Sequence, residues 1–172
     1  MDRVCYIIVG VSGSGKSTLV NQLKSQLDDY CVFSLDDVRV DMYSLLNEYI
    51  PDDKKTMYSA AFSFVNQNQE QFNKYVDERW KSALKHVHVI VDNTHLTRKS
   101  RARWIQDARS KGFKIVVFNV MTPLQVVLDR QSSRADKAVP ADVVRDMYMR
   151  LQEVQADEYD VLINYDGVRG TQ

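Results

Sequence analysis

Residues Gly10 to Thr18 read GVSGSGKST. Gly10-Val11-Ser12-Gly13-Ser14-Gly15-Lys16-Ser17 satisfies the pattern G-x-x-x-x-G-K-[ST] in full, with an apolar run before it and a helical pattern after it. Glycines at these positions let backbone N–H groups turn inward around phosphate oxygens. The N-terminus of the following helix adds partial positive charge. Lys16 can reach the β- and γ-phosphates of ATP, and Ser17 can hold Mg²⁺. Ser12, Ser14 and Thr18 complete the phosphate-binding stretch. A glycine-rich turn with a chance lysine is the plainer alternative, and the agreement of strand, motif and helix weighs against it. The motif alone does not separate a kinase from a switch GTPase or an ATPase motor. No guanine-reading N-K-x-D is present, and a motor would be larger.

A second candidate group lies in Phe33–Val40, FSLDDVRV. A transferase needs a group that orients an acceptor hydroxyl and takes its proton. Asp36 or Asp37 can do this, for a gain of about 10²–10⁴ in rate. Arg39 can grip an anionic part of the acceptor, a phosphate above all, through its planar fork. One aspartate could instead cap the next helix, which explains one carboxylate but not both together with the arginine. The reading adopted is Asp36 as base, with Asp37 as cap or support.

Asp92 ends the apolar run VIVD and can support the Mg²⁺ shell, or merely close a strand in an Asp-Asn turn. Asn93, Thr94 and His95 follow it toward the acceptor. Arg130 and Arg134 are spaced to share one helical face. An arginine reaching a transferring phosphoryl group is worth about 10³–10⁵ in rate. Residues from about 130 to 140 would form a lid over the nucleotide. Arg98, Lys99, Arg101, Arg103 and Arg109 surround Trp104 in a basic helix, a nucleic-acid contact or, slightly favoured, a solvated face. His86 and His88 receive no role.

These residues need a scaffold. Val4–Val9 reads as a buried strand, and Leu19, Val20, Leu23 and Leu27 mark the helix after the loop. CVFSL is a second strand, and residues 37–85 are helical in pieces broken at Pro51-Asp52-Asp53. VHVIVDNTH is a third strand. Thr97 caps a helix to about Lys111 that Gly112 closes. KIVVFNV is a fourth strand. Thr122 caps and Pro123 opens a helix to about Ser133, Ala141–Gln155 is helical, and YDVLINY is a last strand. Alternating strands and helices predict an α/β fold with a mostly parallel sheet.

Bulk properties agree. The chain has 172 residues, the size of one domain, and a formal net charge of zero, which argues against coating long stretches of nucleic acid. No segment approaches the roughly 18 apolar residues of a membrane span. Cys5 and Cys31 suit buried reduced thiols, and a cytosolic protein is the default expectation.

The segment RQSSRADKAVPADVVRDMYMRLQ resembles the 5′-kinase domain of the bacteriophage polynucleotide kinase–phosphatase family, with KAVP and DVVRDMY its most specific parts. The order of phosphate loop, D-D-x-R, a strand ending in D-N-T, R-x-x-x-R and K-A-V-P extends the likeness over nearly the whole chain. The resemblance implies transfer of the ATP γ-phosphate to a 5′-hydroxyl of DNA or RNA in end healing. By position it implies Asp36 as general base, Arg39 on the first phosphate after the terminal nucleoside, Arg134 on the transferring phosphates with Arg130 assisting, and Asn93 and Thr94 along the acceptor path. Asn93 stands where an acidic residue can occur in that family, and His95 where asparagine is common. NYDGVRGTQ lacks the first aspartate of the D-x-D-G-T that opens the family's phosphatase module. A single kinase domain over residues 1–172, without 3′-phosphatase activity, is therefore expected. A kinase for another hydroxyl (a nucleoside, a small sugar or a hydroxymethylated base in DNA) is the alternative, and a nucleotide-dependent switch or binding module is a third reading.

Overall fold

The computed structural model describes residues 2–134 and 138–169. Five strands, β1 (Val4–Val9), β2 (Tyr30–Phe33), β3 (His88–Asp92), β4 (Lys114–Met121) and β5 (Val161–Asp166), form one sheet in the order β2-β3-β1-β4-β5, and every pairing is parallel. Among the described residues seven α-helices and one short 3-10 turn (Ala156–Glu158) join them: α1 (Lys16–Gln26), α2 (Leu35–Leu46), α3 (Lys54–Gln67), α4 (Gln69–Ala83), α5 (Arg98–Ser110), α6 (Leu124–Ser132) and α7 (Ala141–Arg150). The expected α/β fold is the observed one.

Apolar runs in β1, β3 and β4 are continuous because both sheet faces are covered. Cys5, Ile7 and Val9 face one side with Val89, Val91, Ile115 and Val117, under α2, α4 and α5. Ile8, Ile90, Val116 and Phe118 face the other, under Leu19, Val20 and Leu23 of α1. Phe33, Trp80 and Trp104 close the first layer with ring centroids 5.0–5.1 Å apart. Burial pushes the Cys5 thiol up to about 12, so it stays protonated and inert.

Several sequence expectations shift. β2 stops at Phe33, and Ser34 is the N-cap of α2, accepting from Asp37 N at 3.4 Å, so neither aspartate caps that helix. Asp53 caps α3 by accepting from Thr56 N at 2.8 Å. Thr97 caps α5 in a reciprocal capping box with Ser100. Thr122 does not cap α6: Pro123 holds that position, and the Thr122 hydroxyl is used elsewhere. The last long helix ends at Arg150 rather than Gln155, because Leu151 turns extended and the chain is drawn off by Gln152 N donating to Leu96 O at 2.7 Å.

The basic helix also reads differently once folded. Arg101 is fully buried, and its Nε and NH2 donate to the two carboxylate oxygens of Glu158 at 2.7 and 3.1 Å. The remaining guanidinium hydrogens go to the carbonyls of His95, Gln152 and Glu153 at 2.8, 3.2 and 3.3 Å, which uses the whole fork. Arg98 pairs with Asp157, Arg103 with Asp77, and Arg109 donates to Asp157 O, so the helix is a braced face whose charges are largely answered within the chain. Burial raises the Glu158 carboxyl, but bonds from Arg101 and Gln155 N outweigh it and hold the group below the usual glutamate value. Glu158→Ala leaves an uncompensated buried guanidinium and should cost about 3–5 kcal/mol in a urea unfolding titration at neutral pH.

Candidate active site

Ligands of open parallel sheets bind beyond the carboxyl ends of the strands. A cavity of about 800 Å³ lies there, lined by the turns that follow β1, β2, β3 and β5 and by the end of α6. It brings together Ser12, Gly13, Gly15, Lys16, Ser17, Thr18, Asp36, Asp37, Arg39, Asp92, Asn93, Thr94, Arg130 and Arg134. Gly10 and Ser14 are not on its wall. A Cβ at Gly10 would meet Ser14 Oγ at 2.7 Å, so these two pack against each other behind the loop.

The phosphate loop leaves β1 and enters α1 through Gly15, the N-cap, at φ 109°, where a side chain would be strained. Its carbonyls are answered one after another by side chains. Lys16 Nζ donates to Gly10 O and Val11 O, each at 2.9 Å. Gln131 Nε2 donates to Ser12 O at 2.8 Å, Arg130 NH1 to Gly13 O at 3.2 Å, and Thr122 Oγ1 to Ser14 O at 2.6 Å. With carbonyls Gly10–Ser14 held this way, the concave side is left to N–H groups, the arrangement an anion requires.

On the other wall Asp36 and Arg39 sit one turn apart on α2, with Arg39 NH1 donating to Asp36 Oδ1 at 3.0 Å. Asp36 is about half exposed to the cavity mouth while Arg39 is mostly covered. Asn93 accepts from Leu35 N at 2.9 Å through Oδ1, which ties the start of α2 to the end of β3. Asp92 pairs in register with Ile8, beside the phosphate loop. Ser17 and Asp92 supply hard oxygen donors to one cavity, and Mg²⁺ takes one or two such protein ligands and fills its shell with phosphate and water oxygens. The residues present therefore fit that ion.

His95 is not on the acceptor path. It is buried, and its Nδ1 lies 2.7 Å from Ile8 O. Burial lowers its pKa to about 4, so the neutral ring donates that hydrogen bond at neutral pH. Its φ is 53°, the left-handed region in which asparagine is also at home, so the departure noted from the sequence concerns backbone shape and not the acceptor. His86 pairs with Asp29 at the opposite end of the sheet. Among the described residues no group of three or more potential metal-ligating His, Cys, Asp or Glu side chains occurs.

Sequence reasoning missed Gln131 and the segment after β5. Gln131 is buried, and besides Ser12 O it engages Val139 N, which donates to its Oε1 at 3.0 Å. Tyr165, Gly167, Val168 and Arg169 line the cavity, so YDGVR is part of its wall beside the phosphate loop. Asp166 shapes it by accepting from Val168 N at 2.8 Å and Arg169 N at 3.3 Å. Gly167 O accepts from Arg130 NH2 at 2.7 Å. The one available signal was a glycine just past the carboxyl end of a parallel strand. A Cβ on Gly167 would lie 1.9 Å from Thr122 Oγ1 and 2.1 Å from Ser14 O. Gly167→Ala should therefore cost about 1–3 kcal/mol of stability, measurable by thermal unfolding, and weaken ATP binding by calorimetry.

The model of the AAA domain family matches residues 6–154. A protein of Autographa californica nuclear polyhedrosis virus named "Putative bifunctional polynucleotide kinase/RNA ligase" is 27% identical over 157 residues, 90% of this chain and 22% of that protein. The chain thus spans about a fifth of the length of this relative. Among solved structures, a gluconokinase from Sinorhizobium meliloti 1021 superposes with a TM-score of 0.58 at 16% identity, covering 97% of this chain and 84% of that one. A chain of the Pnkp1/Rnl/Hen1 RNA repair complex superposes with a TM-score of 0.56 at 20% identity, covering 88% and 45%. Among the described residues no helix is long and apolar enough to cross a membrane. The chain belongs to the AAA domain family, whose model covers most of its length.

Proposed function

We propose that this chain is a polynucleotide 5′-hydroxyl kinase, transferring the γ-phosphate of ATP to the 5′-OH end of DNA or RNA. The observation that carries this reading is the pairing of Asp36 with Arg39 across the cavity from the phosphate loop: a carboxylate beside a cation, one turn apart at the acceptor mouth. A nucleic-acid end carries its reactive hydroxyl and its first phosphate on one sugar, and that pair of groups matches this pair of side chains. The viral relative's name supports the same acceptor class.

In this reading Arg39 grips the phosphate that follows the terminal nucleoside and so delivers the 5′-hydroxyl to Asp36. Asp36 accepts the hydroxyl proton as the oxygen bonds to the γ-phosphorus, and the bond to the ADP oxygen breaks in line. Lys16 and the inward N–H groups of the loop hold the β- and γ-phosphates. Arg134 answers the charge on the transferring group from the lid, assisted by Arg130, which also props the loop. Mg²⁺, held by Ser17 and Asp92, would neutralise charge on the phosphates when bound. Asp37 and Thr94 complete the acceptor wall, and Asn93 keeps α2 in place. Residues 135–137 of the predicted lid lie outside the described residues.

Incubation with labelled ATP, Mg²⁺ and 5′-hydroxyl oligonucleotides, alongside gluconate and free nucleosides, tests the acceptor. Label on the oligonucleotide end is expected, and label on a sugar or nucleoside alone would overturn the reading. Asp36→Asn should lower kcat by about 10²–10⁴ while ATP binding by calorimetry is kept. Arg39→Ala should raise the acceptor KM by about 10–100-fold for phosphate-bearing acceptors and little for a free nucleoside.

A further inference from the structure

The guanidinium of Arg39 lies over two aromatic rings. Phe72, on α4, is 5.5 Å from it and buried. Phe62, on α3, is 5.7 Å from it and 55% exposed. Phe72 alone gives the cation an apolar seat, and a second ring serving only that purpose would gain by being covered. Phe62 instead leaves most of its surface to solvent just outside the cavity that Arg39 lines. Of the large apolar side chains exposed among the described residues, only Phe62 and Tyr49 are aromatic, and of these two Phe62 is the one with a cavity residue's guanidinium over its ring.

An exposed ring beside a phosphate-gripping cation matches the repeat of a single nucleic-acid strand, in which phosphate and base alternate. Sequence-tolerant recognition of such strands uses aromatic faces on which bases stack. The inference rests on the polynucleotide reading of the site. We propose that Phe62 is the stacking platform for the base of the acceptor's second nucleotide, the one attached to the phosphate that Arg39 holds. The terminal nucleoside then sits inside the cavity, and the second base lies at its rim against α3. The ligand class is a nucleobase of a single-stranded end, without preference for its identity, since every base has a π-face.

The test compares three acceptors: a nucleoside 3′-monophosphate, a dinucleotide, and the same dinucleotide with an abasic second position. With the unaltered protein the second base should lower the acceptor KM about tenfold. Phe62→Ala should raise the dinucleotide KM to that of the abasic acceptor and leave the nucleoside 3′-monophosphate unchanged, and Phe62→Trp should restore the gap. Equal KM values for the dinucleotide and its abasic form with the unaltered protein would overturn the inference, even if the alanine variant failed to fold. An equal effect of Phe62→Ala on all three acceptors would also overturn it. If the unaltered protein phosphorylates none of the three, the polynucleotide reading itself fails and this inference with it.

Discussion

A loop that binds phosphate through backbone N–H groups must keep its own carbonyls away from the anion. Everything else in this molecule is arranged around that constraint. Five consecutive carbonyls, Gly10 to Ser14, accept hydrogen bonds from side chains of Lys16, Gln131, Arg130 and Thr122. Those donors come from α1, from the last turn of α6 and from the end of β4, so the loop is seated by three separate parts of the chain. Each donor group is held in turn. Arg130 reaches Gly167 after β5, and Gln131 engages Val139 just ahead of α7. Removing the partner of the one fully buried acceptor, Ser14 O, would expose the desolvation cost of an orphaned carbonyl.

The same logic extends down the sheet. His95 bonds Ile8 O at the end of β1, and its own carbonyl is held by Arg101, which Glu158 neutralises. A continuous chain of hydrogen bonds thus runs from a buried ion pair to the root of the phosphate loop. The acceptor side is tied in more lightly, through Asn93 and the N-cap at Ser34. The phosphate-loop wall of the cavity is therefore firmly framed, while the wall that carries Asp36 and Arg39 hangs on the first turn of α2.

Much of this was legible in the residues. The phosphate loop, the parallel strands and Asp36, Arg39, Asp92 and Arg134 carry their signal in type and local spacing, and the cavity unites them. What escaped depends on distant packing. Arg101 reads as surface because arginine in a polar helix usually is, and only Glu158, far along the chain, makes its burial affordable. Thr122 before a proline reads as a helix cap, yet its hydroxyl faces Ser14. His95 reads as an acceptor contact until its left-handed backbone turns the ring inward. Gly167 carries no signal of its own beyond its place after a strand, since what forbids a side chain there is the loop packed against it.

Gly167 also gives the site an order in time. It follows every helix and strand of the fold in the direction of synthesis, and its carbonyl is what Arg130 leans on. A nascent chain paused before β5 already carries the whole phosphate loop, yet it lacks one wall of the cavity and one anchor of the arginine that props the loop. The phosphate loop is therefore fully walled only once β5 has paired with β4 at the edge of the sheet.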